Sequence, residues 1–170
     1  MAVDRSAAYD GVLLYKLVWR LVRDHRFDPN DFVLVGSARL WLEGIVGRLA
    51  DIDIVARNET WERAQKIAHN YLHNGTYSGE NTGAPVVQLY GKRIDVCPSW
   101  VGDRFDADEL IDHADVISGL RHMSVADVVA YKRKLGRPKD RQDLARIRSR
   151  TAGLAITELP DRRPALSVPG

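Results

Sequence analysis

Residues 32–55 have the sequence FVLVGSARLWLEGIVGRLADIDIV, and this stretch decides the fold of the chain. Residues 32–35 are a short, fully apolar run between turn-forming residues, a pattern typical of a strand buried on both faces. A Gly-Ser pair ends the run, and residues 38–46 then have a helical pattern that two glycines weaken near its end. Residues 51–55 alternate acidic and apolar side chains, which predicts a second strand.

The rest of the chain continues this mixture of helices and strands. Apolar residues recur every three or four positions in the helical segments, and turn-forming residues bound the strands. The predicted helices are residues 7–27, 60–73, 106–113, 124–135 and 138–150, the last two bounded by Ser124, Gly136 and Pro138. The further predicted strands are residues 86–90 and 93–97, joined in a hairpin at Gly91-Lys92, and residues 116–117. Residues 74–83 are predicted to form a loop.

The composition is that of an ordinary globular protein. The 170 residues are 45% hydrophobic and 28% charged, which excludes collagen-like, coiled-coil and wholly disordered chains. This length suits one domain, predicted at residues 1–152, followed by a proline-rich tail at residues 153–170. Two basic residues interrupt the longest apolar stretch, residues 11–22, so no membrane span is expected. A single cysteine and an N-terminus without a signal-peptide pattern lead us to expect a cytoplasmic protein.

Charge is distributed unevenly along the chain. The net charge is +2, but residues 132–150 carry nine Lys and Arg against two Asp, whereas residues 1–131 carry 14 bases and 19 acids. A basic C-terminal quarter can attract the phosphates of a nucleotide or of a nucleic acid. A solvated helix face would explain the same charge count.

Acidic residues stand on two of the predicted strands. Alternate side chains of a strand share a face, so Asp51 and Asp53 project together while isoleucines pack behind them. Asp95, between apolar neighbours on a later strand, is a third candidate. Carboxylates that repel one another beside a buried strand favour a bound cation, and hard oxygen ligands suit Mg²⁺ or Mn²⁺. A solvent-facing or turn-forming role is the alternative for each of these acids.

The turn after the first predicted strand is suited to binding phosphate. Gly36 lets a ligand approach the backbone because it has no Cβ, and free amides at the start of the following helix attract an anion. Ser37 can cap that helix and donate to a phosphate oxygen. A plain helix cap without any ligand would also explain the Gly-Ser pair.

These residues together resemble a known family. A strand ending in Gly36-Ser37, thirteen intervening residues, Asp51-x-Asp53 and a later strand bearing Asp95 are similar to the signature of the nucleotidyltransferase superfamily related to DNA polymerase beta.

The C-terminal part of the chain adds a second resemblance. Residues 125–147, VADVVAYKRKLGRPKDRQDLARI, resemble a segment of the AbiE-type toxin nucleotidyltransferases of bacteria and their small stand-alone relatives. Arg48, three residues before the DID sequence, also resembles an arginine of that branch.

The resemblance implies an α+β fold with a mixed β-sheet core flanked by helices, an N-terminal helix and a C-terminal helix pair. It implies that Asp51 and Asp53 bind divalent metal carrying a nucleoside triphosphate, and that Asp95 completes the metal site and helps to activate the acceptor hydroxyl. Two metal ions would stabilise the charge on the attacking oxygen and on the leaving pyrophosphate. Gly36 and Ser37 would hold the triphosphate.

Three basic residues are further candidates for nucleotide binding. Lys132 shares the inward face of its predicted helix with apolar residues, so it needs an anionic partner, either the carboxylate cluster or a bound phosphate. A lysine at the rim of the core with its ammonium in water is the alternative. Lys139 is similar to a lysine of the family, and Arg39 is either a phosphate contact or a surface arginine. The nearby Asp140 and Asp143 would stabilise the start of the last helix.

The resemblance implies a metal-dependent enzyme that moves a nucleoside monophosphate from a nucleoside triphosphate to an acceptor hydroxyl and releases pyrophosphate. The acceptor is open between RNA such as tRNA, a protein, and a small molecule such as an aminoglycoside or lincosamide antibiotic. A toxin-like enzyme would also have a cognate antitoxin as partner. A catalytically inactive nucleotide- or RNA-binding module and an antitoxin-like interaction protein on the same fold are the alternatives.

Overall fold

The computed structural model describes residues 5–70, 75–78, 83–100 and 106–154. Within these residues the chain forms six helices and seven strands. The helices are α1 (Arg5–His25), α2 (Ser37–Leu42), α3 (Asn58–Asn70), α4 (Ala107–Asp112), α5 (Val125–Leu135) and α6 (Pro138–Leu154). The strands are β1 (Phe32–Val35), β2 (Ile52–Ala56), β3 (Gly75–Ser78), β4 (Pro85–Leu89), β5 (Ile94–Cys97), β6 (Asp115–Ile117) and β7 (Leu120–His122).

The described strands form one mixed sheet in the order β3-β4-β5-β2-β1-β7-β6. Strands β2 and β5 are parallel, as are β1 and β7, and the other neighbouring pairs are antiparallel. The predicted α+β architecture with a mixed sheet is therefore confirmed.

The centre of the sheet is the centre of the core. All four side chains of β1 are fully buried, which agrees with the pattern expected for a strand covered on both faces. Helix α3 packs against β4 and β5, and α1 also contacts β5. Among the described helices, none combines the length and the apolar character needed to span a membrane.

Helix α1 contacts α2 and β7 through three aromatic side chains, Tyr15, Trp41 and His122. The rings of Tyr15 and Trp41 lie 5.4 Å apart, and Gly11 packs directly against the Trp41 indole. His122 donates from Nδ1 to the Leu120 carbonyl at 2.9 Å, which leaves Nε2 to accept from the Tyr15 hydroxyl at 2.9 Å. Burial lowers the pKa of His122 to about 4, so the ring is neutral and holds this arrangement near neutral pH.

Two strands were not predicted from the sequence. The loop predicted at residues 74–83 contains β3, which pairs antiparallel with β4. Its sequence GTYS lacks apolar alternation, so its pairing depends on the neighbouring strand and not on local pattern. The strand predicted at residues 116–117 is β6, and it continues through a turn into β7, which pairs parallel to β1 through Leu34 and His122.

Several element boundaries also differ from the predicted ones. The helix predicted at residues 38–46 ends at Leu42, and Gly44 adopts a φ of +70° just beyond it. Helix α6 continues past the predicted end at residue 150 to Leu154, so it includes the first two residues of the predicted tail. Residues 155–170 and the predicted end of α3 at residue 73 lie outside the described residues.

Candidate active site

The acids predicted from the sequence meet at one end of the central strands. Asp53 of β2 stands directly beside Asp95 of β5 in the parallel register. Neighbouring strands lie about 4.8 Å apart and paired residues share a face, so the two carboxylates project side by side. Asp51 immediately precedes β2, two residues before Asp53, and Ile52 and Ile94 are fully buried on the opposite face.

Electrostatic interactions show that these charges lie close together. Burial, together with the negative charges of Asp51 and Asp95, raises the pKa of Asp53 from its ordinary 3.8 to about 7, against the opposing effect of Lys139 and Lys132. Four ionisable side chains therefore act on Asp53 across the end of the sheet. A carboxyl group with a pKa near 7 that lies among other carboxylates is typical of a functional site.

The Gly36 turn closes against the same acids. Val35 pairs with Asp53 in the antiparallel register, so Gly36 follows directly beside this carboxylate. Gly36 has a φ of +71°, and a Cβ built on it would lie 3.2 Å from the Tyr131 hydroxyl and 3.4 Å from Asp53 Oδ2. The position requires glycine both for its backbone conformation and for the close approach of these side chains.

Ser37 does not cap α2, in contrast to the prediction. Gly36 occupies the N-cap position without a side-chain cap, and Ser37 is the first helical residue. The Ser37 hydroxyl instead accepts a hydrogen bond from the Lys132 ammonium at 3.5 Å. A helical φ at Ser37 explains the difference, because capping side chains belong to residues outside the helix.

Lys132 is fully buried and connects α5 to α6. Its ammonium donates to Asp143 Oδ2 at 2.9 Å and to Asp140 Oδ1 at 3.3 Å, and it lies 5.2 Å from the centre of the Tyr131 ring. Burial alone would lower the pKa of Lys132, but its contacts with Tyr131 and Asp143 hold the pKa above the ordinary value. The inward orientation was predicted, whereas a lysine at the core rim with its head in water is excluded by burial. The direct partners of Lys132 are these two aspartates and not the carboxylate cluster that was expected to supply its anion.

Asp140 and Asp143 therefore do more than stabilise the start of α6. Asp140 is fully buried and accepts hydrogen bonds from the Arg137 side chain, the shortest at 2.7 Å, in addition to the one from Lys132. Burial alone would raise the pKa of Asp140, but Arg137 and Lys132 lower it below the ordinary value. Lys132 therefore joins α5 to α6 through these two carboxylates, and its hydrogen bond to the Ser37 hydroxyl positions both helices beside the Gly36–Ser37 turn.

Lys139 lies on the exposed surface at the start of α6. It interacts with Asp53 through space, and no ion pair holds it within the described part of the chain. An exposed lysine beside a carboxylate cluster is free to contact the phosphates of a ligand bound there. The nucleotide-binding role of Lys139 stays a prediction.

Arg39 is buried and bonded to other groups of the protein, whereas a phosphate contact requires an accessible side chain. The side chain is 5% exposed, and it donates to Glu43 Oε1 at 2.9 Å, to Asp115 Oδ2 at 2.7 Å and to the Met123 carbonyl at 3.4 Å. These contacts join α2 to β6 and to the end of β7. The alternative of a surface arginine is wrong, and the phosphate role of Arg39 has no support from these contacts.

Two aromatic residues at this site were missed by sequence reasoning. Trp100 lies edge-on to Tyr131 with ring centres 5.5 Å apart, and a Cβ on Gly36 would lie 3.7 Å from the Trp100 ring. Burial raises the pKa of Tyr131 to about 12, so its hydroxyl stays protonated beside Asp53. An isolated aromatic residue in a sequence indicates the core in general, and the position of Tyr131 next to Lys132 was the available signal.

The donor chemistry of the site suits a divalent cation. Mg²⁺ is usually held by one or two carboxylates together with phosphates of the substrate and water. The adjacent Asp53 and Asp95, with Asp51 near them, supply such oxygen donors. Within the described residues no group of three or more His, Cys, Asp or Glu side chains could hold a metal ion, so Asp51, Asp53 and Asp95 do not form a three-carboxylate site by themselves. The residues thus fit a cation that takes part of its ligands from a bound substrate.

Comparison with known proteins supports the fold. Neither a protein-family model nor a curated protein matches the sequence. The crystal structure of ANT(2″)-Ia in complex with adenylyl-2″-tobramycin is similar over 85% of this chain and 91% of that chain, with a TM-score of 0.50 and 15% sequence identity. At this identity the likeness concerns the fold alone, which is a nucleotidyltransferase-like α+β fold. The resemblance to AbiE-type toxins is not tested by this comparison and stays a prediction.

Proposed function

We propose that the protein is a metal-dependent nucleotidyltransferase that moves a nucleoside monophosphate from a nucleoside triphosphate to an acceptor hydroxyl. The observation that carries the proposal is the pairing of Asp53 with Asp95 on adjacent parallel strands, directly beside the Gly36 turn. Carboxylates at this place would hold divalent metal, and a glycine turn beside them would accept the triphosphate.

The positions of these groups support the following reaction. The acceptor oxygen would form a bond to the α-phosphorus while the bond from that phosphorus to the bridging oxygen of pyrophosphate breaks. Asp95 would help to remove the hydroxyl proton, and Asp51 and Asp53 would hold the metal-bound triphosphate. When bound, Mg²⁺ or Mn²⁺ would neutralise charge on the phosphates. Lys139 and the Ser37 hydroxyl would orient the leaving pyrophosphate.

The acceptor is a separate part of the proposal. The name of the similar structure's ligand describes an adenylyl group joined to tobramycin, which supports a small-molecule hydroxyl as one acceptor class. A basic surface on α5 and α6 supports RNA as another, because Asp140 and Asp143 are buried while the surrounding bases are exposed. The exposed bases of this surface are Arg133, Lys134, Arg137, Lys139, Arg141, Arg146 and Arg148.

A binding experiment tests the proposal without knowledge of the acceptor. Equilibrium binding of ATP and GTP is measured with Mg²⁺ and with excess chelator, and we expect affinity for at least one of them to fall at least tenfold without Mg²⁺. Asp53→Asn should remove this Mg²⁺ dependence because the carboxylate pair is lost. Asp108→Asn is the matched control, since Asp108 is exposed and pairs with Arg57 at the surface.

An activity experiment then identifies the acceptor. Purified protein is incubated with Mg²⁺ and α-labelled triphosphates in the presence of cellular RNA, protein and small-molecule fractions, and each fraction is examined for label. We expect Asp53→Asn to lower the rate of labelling and of pyrophosphate release at least about 100-fold. Triphosphate binding that is indifferent to chelator would favour a non-catalytic nucleotide-binding module. An Asp53→Asn variant with wild-type activity would refute the assigned roles.

A further inference from the structure

A second concave region lies away from the carboxylates. A cavity of about 820 Å³ lies between the C-terminal half of α1, the end of α3 and the turn that joins β4 to β5. We refer to it as the hairpin cavity. Its volume is within the range of about 300–1,000 Å³ that small-molecule sites in proteins have.

The hairpin cavity is on the opposite face of the sheet from the candidate active site. Leu89 lines the cavity and pairs with Ile94 in the register of β4 and β5. Paired residues share a face, and Asp95, the next residue along β5, projects to the other face. A ligand in this cavity would therefore not occupy the site of Asp53 and Asp95.

One wall of the hairpin cavity is apolar. It is formed by Leu17 of α1, Ile67 of α3 and Leu89 of β4. Leu17 and Leu89 are 8% and 1% exposed and belong to the core. Such a wall favours a ligand with an apolar body, because its burial removes apolar surface from water.

The rim of the hairpin cavity is positively charged. Arg20, Lys92 and Arg93 are exposed and line the cavity, against one acidic residue, Asp24. Asp24 is paired with Arg23, which donates to it at 2.7 Å, and more loosely with Arg20 at 3.7 Å, so the one acid of the lining is outweighed by the surrounding cations. Three cations around an apolar wall favour an anionic head group, and a phosphate offers the most acceptor oxygens for them.

The turn that carries part of this rim has an unfavourable backbone. Tyr90, Gly91 and Lys92 have φ values of +54°, +63° and +67° in succession. Residues other than glycine pay an energetic penalty in this region, and such conformations concentrate at functional sites. This backbone places both Tyr90 and Lys92 at the cavity.

From this combination we propose that the hairpin cavity binds an organic phosphate. The apolar body of the ligand lies against Leu17, Ile67 and Leu89, and its phosphate is held by Arg20 and Lys92 together with Arg93. The site is separate from the proposed nucleotidyltransferase site. Binding of a ligand in the hairpin cavity should therefore not depend on the carboxylates of that other site.

Hexyl phosphate is the probe for this proposal, because it joins an apolar body to one phosphate. Its binding is measured by isothermal titration calorimetry beside inorganic phosphate and 1-hexanol. We expect hexyl phosphate to bind at least tenfold more tightly than either of them. Equal affinity for hexanol would show an apolar cavity only, equal affinity for inorganic phosphate would show diffuse charge only, and either result overturns the proposal.

Charge-removing variants locate the binding. We expect the double variant Arg20→Gln/Lys92→Gln to lose at least tenfold in affinity for hexyl phosphate, since two charged donors are removed. The matched double variant Arg133→Gln/Lys134→Gln on the exposed face of α5 should retain wild-type affinity. Asp53→Asn should also retain it, so that failure here is distinguishable from failure of the proposed enzyme. An equal loss of affinity in both double variants, or wild-type affinity in Arg20→Gln/Lys92→Gln, would overturn the proposal. If Arg20→Gln/Lys92→Gln does not fold, the single variant Lys92→Gln replaces it in the same measurement.

Discussion

Replacing Lys132 with Met should strongly destabilise the fold. The ammonium is fully buried between two carboxylates that are themselves almost inaccessible, with Asp140 at 0% exposure and Asp143 at 6%. Methionine has a similar size and fills the same space, but it cannot neutralise these charges. Breaking a buried ion pair from one side costs about 3–5 kcal/mol, and we expect the lower part of this range because Arg137 and Arg146 still contact the two aspartates from the exposed side.

The measurement is equilibrium unfolding in urea at pH 7. With a dependence on urea of about 2 kcal/mol per molar, a loss of about 3–5 kcal/mol shifts the midpoint by about 2 M. Lys134→Met is the matched control, because Lys134 is exposed on the same helix and should change the midpoint little. The triple variant Lys132→Met/Asp140→Asn/Asp143→Asn should recover much of the loss, because no buried charge remains without a partner.

Two results would refute this reasoning. A free energy of unfolding for Lys132→Met within about 1 kcal/mol of wild type would show that water reaches the aspartates and screens them. A triple variant no more stable than the single one would show that Lys132 contributes through packing and not through charge. Either result would also remove the argument that this lysine fixes α5 and α6 beside the Gly36–Ser37 turn.

Three further predictions concern the backbone and the core. Gly36→Ala should lower the free energy of unfolding by about 1–3 kcal/mol, because alanine is strained at a φ of +71°, whereas Gly47→Ala, with nothing within 4 Å of the new Cβ, should be nearly neutral in urea unfolding. Gly11→Ala should lower the melting temperature, since its Cβ would overlap the Trp41 ring and overpacking costs about 1–3 kcal/mol. His122 takes up a proton near pH 6.5 when unfolded but only near pH 4 when folded, so it contributes stability above pH 6.5 that is lost as the pH falls towards 4. Between pH 7 and pH 4 the free energy of unfolding in urea should fall by up to about 3 kcal/mol in the wild type, and this loss should be absent from His122→Gln. The same dependence of the unfolding free energy on pH in both proteins would contradict this prediction.

The sequence predicted the elements that local chemistry determines. Strand β1 has the predicted bounds because a run of four apolar residues between turn formers has few alternatives. Helix α5 ends at the predicted Leu135 and begins one residue after the predicted start, because Ser124 caps it by accepting a hydrogen bond from the Asp127 amide and Gly136 adopts the left-handed conformation that ends a helix. Both signals lie within a few residues of the feature that they specify.

Features that depend on distant contacts could not be read in this way. Strand β7 has only three residues, and its parallel pairing with β1 joins Leu34 to His122 across most of the chain. The partners of Lys132 were open in the sequence because an inward lysine specifies a need for an anion and not which anion supplies it. The prediction that Asp53 and Asp95 lie together was carried by a resemblance, since spacing alone does not specify a parallel register.

The ionised Asp53 side chain makes unfavourable electrostatic interactions that lower the stability of the folded protein. A pKa raised from 3.8 to about 7 corresponds to about 4 kcal/mol of unfavourable interaction for the ionised form, an upper value because the side chain is half-buried. Lys139 and Lys132 relieve this interaction only in part, and the direct contacts of Lys132 are with Asp140 and Asp143. Asparagine at position 53 would avoid the repulsion with little change in shape, so nothing in the packing requires a carboxylate there. A bound cation or a proton transfer, each part of the proposed reaction, would explain the presence of a carboxylate there.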